Sequence, residues 1–83
     1  MSAFEPLADM VADLARLMVS NPDEVTVDIE GGGRGVTLEL SVADGDMGQV
    51  IGRNGRVAQA LREVLQAAAD ARGAGRVRLD IVD

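Results

Sequence analysis

Apolar residues along this chain recur first at helical spacing, then at every second position, then at helical spacing again, and last at every second position. Over residues 5–19, Leu7, Val11, Leu14 and Met18 form one stripe with Met10 and Leu17 beside it, and Asp9, Asp13 and Arg16 fall outside it. That spacing predicts an amphipathic helix. Pro6 suits its first turn, and Asn21-Pro22-Asp23 stops it because a residue before proline avoids helical geometry. Val25, Val27 and Ile29 then alternate with Thr26, Asp28 and Glu30, and Val36, Leu38, Leu40 and Val42 with Thr37, Glu39 and Ser41. Period two predicts strands with one buried face. Gly31 to Gly35 reads as a flexible five-residue hairpin loop, long for a tight turn.

Asp44 is the expected N-cap of a short helix from about Asp46 to Ile51. A second, longer helix is predicted from about Arg56 to Arg72, with Val57, Leu61, Val64, Leu65 and Ala68 as its main apolar face. Gly73-Ala74-Gly75 ends it. Arg76–Val82 reads as a third strand, with Val77, Leu79 and Ile81 facing inward. The order is α-β-β-α-α-β, with no internal repeat.

Length limits this to one expected domain, residues 1–83. So small a core buries only ~60% of the unfolded surface, so pairing with another chain would help it. Eight arginines and no lysine stand against 14 carboxylates, a net charge of −6, which excludes a general basic coat for nucleic acid. Any such contact must be local. With no cysteine or histidine there is no disulfide framework, no thiolate or imidazole metal site and no base for a serine nucleophile. No metal, cofactor or catalytic activity is expected. No targeting signal or ~20-residue apolar span is visible, so a cytoplasmic chain without a membrane anchor is expected. One aromatic residue, Phe4, argues against modules that stack bases on rings.

Against that acidic background, Met47 to Arg62 contains no carboxylate. Inside it lies Val50-Ile51-Gly52-Arg53-Asn54-Gly55-Arg56-Val57, a G-x-x-G turn between the two predicted helices. An isolated G-x-x-G is usually a plain turn whose glycines supply positive φ. Here the short helix entering, the long helix leaving and the nearby arginines (Arg53, Arg56, Arg62) make the bare backbone attractive to an anion such as a phosphodiester. The glycines from Gly31 to Gly35 lie between strands and so are no dinucleotide fingerprint. Asp44-Gly45-Asp46 begins like a calcium loop but has Gly55 where glutamate should close it.

At these residues the chain resembles the K-homology (KH) domain, in the small stand-alone bacterial form of the KhpA type. The likeness takes in Asn21-Pro22-Asp23, the run from Asp46 to Gly52 and the alanine-rich helix after Arg56. It implies a type II KH-like α+β fold, a three-stranded mixed sheet with helices packed on one face. It also implies a groove for about four nucleotides of single-stranded RNA, with single-stranded DNA left open. Gly52 and Gly55 would admit the sugar-phosphate backbone, while Arg53, Asn54 and Arg56 would meet phosphates. Val50, Ile51 and Val57 would form an aliphatic floor bounded by the second strand. Arg34 in the glycine loop would border the groove, or simply be a solvated loop charge. Such proteins act as post-transcriptional regulators or RNA chaperones.

The long helix is apolar on more than one side. Ala60, Val64, Ala67 and Ala71 form a second stripe, which reads either as helix propensity or as a contact surface. The resemblance favours contact, implying a homodimer or a heterodimer with a larger KH-containing protein. The competing functional reading is a protein-interaction module whose long helix recruits a partner, RNA being touched only in the complex.

Overall fold

A computed structural model of the chain describes residues 3–32 and 35–82. The elements follow the expected order: α1 (Glu5–Met18), β1 (Thr26–Gly32), β2 (Gly35–Ser41), α2 (Met47–Ile51), α3 (Arg56–Ala71) and β3 (Val77–Val82). β1 and β2 pair antiparallel, β2 and β3 parallel, and the sheet order is β1-β2-β3. The mixed sheet and its helices give the α+β fold that the resemblance implies. Pairing of β1 with β2 continues to Gly32–Gly35, so the hairpin is tighter than five open residues. Arg34 lies outside the described residues.

Burial alternates along β2, where Val36, Leu38 and Leu40 turn to the helices. Val25, just before β1, and Val77 and Leu79 of β3 join them, and Leu61, Leu65 and Ala69 meet them from α3. On α1 the buried stripe is Leu7, Ala8, Val11, Ala12 and Ala15, while Met10, Leu14 and Met18 are half-buried and Leu17 is 84% exposed. The expected stripe of large residues is thus rotated. Alanines let α1 lie close on the core, and the longer side chains drape along its margin.

The other sheet face has no helix on it. Register places Asp28 opposite Glu39 and Glu39 opposite Asp80. In-register residues point to the same side, so three carboxylates stand in a row across the open face.

Asp44 caps no helix; Ala43 precedes the short turn at 44–46, with no side-chain cap bond. The chemistry belongs to Asp46, 2% exposed. Its carboxylate accepts the Ser20 N–H at 3.2 Å, the Asn21 N–H at 3.0 Å and the Asn21 side-chain amide at 3.1 Å. The turn after α1 is thereby clasped to the start of α2, and helix capping is the wrong account of these aspartates. Burial raises the Asp46 pKa, but the Asn21 side chain and the two backbone donors outweigh it and hold the carboxyl below its ordinary value. A depressed folded-state pKa contributes stability above the unfolded value of about 3.9, lost as pH falls through the folded value. Asp46→Asn should therefore lower the melting midpoint at pH 7, and the gap from wild type should close as pH drops below that range. Thermal melts from pH 7 to pH 2.5 read this out; an unchanged midpoint at pH 7 contradicts it.

Candidate nucleic-acid interface

Ile51 ends α2, and the chain then makes an abrupt turn. Gly52 has φ 77°, ψ 173°, Asn54 φ 57°, ψ 26°, and Gly55 φ 75°, ψ 14°. The first pair of angles belongs almost solely to glycine, whereas asparagine tolerates the left-handed region of the second. Gly55 N–H bonds Gly52 O at 3.2 Å and Arg56 N–H bonds Arg53 O. Those two amides are spent inside the turn. Attraction for an anion therefore rests on the α3 end and the arginines.

The two glycines do different jobs. A Cβ on Gly52 would collide with Val57 Cγ2 and lie 2.8 Å from Val57 Cβ and backbone N. A Cβ on Gly55 would meet nothing within 4 Å. Gly52 lets the turn pack on α3, while Gly55 leaves open space outside it. Arg53, Asn54 and Arg56 are exposed around that space.

Val50 is fully buried and joins the core, so it cannot form part of an exposed floor. Its place on the short helix turns it into the core, where α2 meets α1 and α3. Ile51 is 38% exposed and Val57 half-buried, both beside the turn. The second strand does not bound a groove either, because β2 is central and paired on both sides. β3 is the edge strand. An open groove of about 540 Å³ runs between it and α3.

Gln59, Arg62 and Gln66 of α3 and Arg76 and Arg78 beside or on β3 line that groove. Arg56, Gln59, Glu63 and Gln66 recur at i, i+3, i+7 and i+10, so the groove side of α3 continues up to the turn. Arg62 stands beyond the turn, within the groove. Its Nε donates to Leu79 O at 3.2 Å. Gln66 accepts the Val77 N–H at 3.2 Å and donates to Gly75 O at 3.0 Å. These residues cover the β3 edge, and sequence periodicity gives no sign of it. Arg53, Arg56, Arg62, Arg76 and Arg78 flank turn and groove, with Glu63 and Asp80 also lining the groove.

Ala60, Ala67 and Ala71 are exposed on another side of α3, and Val64 is 46% exposed with them. Val64 is therefore not part of the main buried face, which consists of Ala58, Leu61, Leu65 and Ala69. No group of metal-binding side chains occurs among the described residues, and none of their helices is long and apolar enough to cross a membrane.

Comparison with known proteins agrees with this architecture. The family model described as KhpA/KhpB, KH domain matches residues 8–81. The protein named RNA-binding protein KhpA of Halalkalibacterium halodurans is 47% identical over 74 residues, covering 89% of this chain and 96% of that one. The protein of the same name from Mycobacterium tuberculosis is 47% identical over 77 residues, 93% of this chain and 91% of that one. Among solved structures, Aquifex aeolicus Era bound to GDP.AlF4- superposes with a TM-score of 0.67 at 15% identity. That match covers 98% of this chain but 31% of Era, and it is a likeness of fold.

Proposed function

The chain belongs to the KhpA/KhpB KH-domain family, and on that premise we propose that residues 1–83 act as one single-stranded RNA-binding module without catalytic activity. The turn from Gly52 to Arg56 takes the sugar-phosphate backbone, and the groove between α3 and β3 takes the bases. The observation that carries this reading is the open space outside Gly55, flanked by Arg53 and Arg56 on an otherwise acidic chain. RNA is the expected ligand because both relatives are named RNA-binding proteins. Single-stranded DNA is an arm of the test.

Few phosphates are neutralised, since only Arg53 and Arg56 stand at the turn and Arg62 lies farther along α3, held to Leu79 O. On single strands log K falls with log[salt] by about 0.7 per phosphate, so a slope of roughly −1 to −2 is expected. Titration of labelled protein with short RNA and DNA oligonucleotides at several salt concentrations tests this. No binding of either ends the reading, and a slope several times steeper shows a wider basic footprint.

A single groove of this kind binds weakly, and pairing raises avidity through effective concentration. The exposed stripe Ala60, Val64, Ala67 and Ala71 supports a homodimer, or a heterodimer with a larger KH-containing protein, acting in the cytoplasm as an RNA chaperone or post-transcriptional regulator. It is also what favours the second reading, a module that recruits a partner first. Ala67→Arg inserts two like charges at a two-fold contact while keeping a good helix former. The expected result is a dimer for wild type and a monomer for the variant in light scattering, with RNA affinity lowered through avidity alone. A monomeric wild type, or a dimeric variant, moves the contact elsewhere.

A further inference from the structure

Arg62 is held in an unusual way for an exposed arginine. Its Nε is bonded to the Leu79 carbonyl of the edge strand at 3.2 Å. Neither Nη atom has a hydrogen-bond or ion-pair partner among the described residues. Asp80, next to Leu79, and Glu63 line the same groove, but neither carboxylate stands within ion-pair distance of Arg62. The guanidinium is thus fixed at one end and presents its two remaining nitrogens from a set position. A planar fork fixed in this way loses little further freedom on binding.

Its surroundings narrow what it can meet. Farther along the groove, Gln66 fills the Gly75–Val77 part of the strand edge with its own amide. Arg62 lies six residues beyond Arg56, about 9 Å along the helix. The first unfilled stretch of the groove below the turn is therefore the one Arg62 faces.

We propose that Arg62 is a base-selecting residue: its strand-anchored guanidinium takes a base with two adjacent acceptors, guanine through O6 and N7 or cytosine through O2 and N3. Adenine sets its N6 amino donor beside N1 and N7 and leaves N3 a lone acceptor, and uracil places its N3–H between its two carbonyls. Neither matches a pair of donors. This inference rests on the RNA-binding reading above.

The test uses the whole chain and single-stranded RNA tetramers, randomised except for one fixed base at a time, read by fluorescence anisotropy. Wild type should prefer guanine or cytosine at one position by about tenfold, within the range of bidentate arginine–base pairs. Arg62→Lys keeps the charge and loses the fork, so the preference there should fall to about twofold or less with the salt slope unchanged. If guanine is preferred, 7-deazaguanine should lose the advantage; if cytosine, the O2/N3 arm is identified. Binding with no preference, a preference for adenine or uracil, a guanine preference that survives 7-deaza substitution, or one that survives Arg62→Lys overturns the inference alone. Failure of the wild-type chain to bind any pool overturns the RNA-binding reading itself.

Discussion

Arg53→Asp combined with Asn54→Asp removes RNA binding and leaves the fold in place. The two changes take the turn and Arg56 together from two positive charges to one negative charge, at the open glycine that arginines flank. Losing one phosphate contact and adding repulsion at close range should weaken binding by roughly a hundredfold or more at low salt. Stability should hardly move. Arg53 and Asn54 are exposed, no core contact depends on them, and aspartate accepts the left-handed geometry that Asn54 adopts at φ 57°. Gel shifts and thermal melts on the same pair of proteins decide it. Equal affinities would remove the turn from the binding site.

The second large effect is structural. Gly52→Ala should destabilise the chain by about 3 kcal/mol or more, whereas Gly55→Ala should cost about 1 kcal/mol. Both positions have positive φ, but only Gly52 has a neighbour in the way. Val57 Cγ2 could rotate, yet the Val57 backbone nitrogen at 2.8 Å belongs to the first turn of α3 and cannot yield without moving the helix. Small domains have about 0.05–0.15 kcal/mol of stability per residue, so the Gly52 cost is a large share of the total. Urea unfolding of both variants checks the ranking. Equal losses would show that conformational strain alone, and not the Val57 contact, sets the price at Gly52.

Periodicity was enough to read the element order, because β2 and α3 each bury one regular face. It misplaced what depends on how elements meet. Val50 and Ile51 are neighbours of the same type, and only α2's seating on the core makes one a core residue and leaves the other at the surface. Leu17 looks like part of the α1 stripe until alanines prove to be the contact residues. The resemblance puts β2 at the groove wall, and that error comes from sheet order, since the parallel pairing of β3 to β2 is a long-range fact. The Asp46 clasp spans 25 residues of chain and has no local signature beyond an aspartate where a cap would be expected. The turn itself was legible because it is local: two glycines, an asparagine and flanking arginines fix its backbone and charge together.

The row Asp28, Glu39 and Asp80 has a consequence for how an encounter with RNA begins. Like charges abreast cost the sheet a little, yet they give the open sheet face a carboxylate row while the turn carries Arg53 and Arg56. A polyanion arriving at the sheet is turned away, and one arriving at the turn is drawn in, so collisions are sorted by orientation before any contact forms. Added salt weakens the attraction and the repulsion together. The association rate should accordingly vary less with ionic strength than it would for a protein that is basic all round, and neutralising the sheet row should restore a steeper dependence.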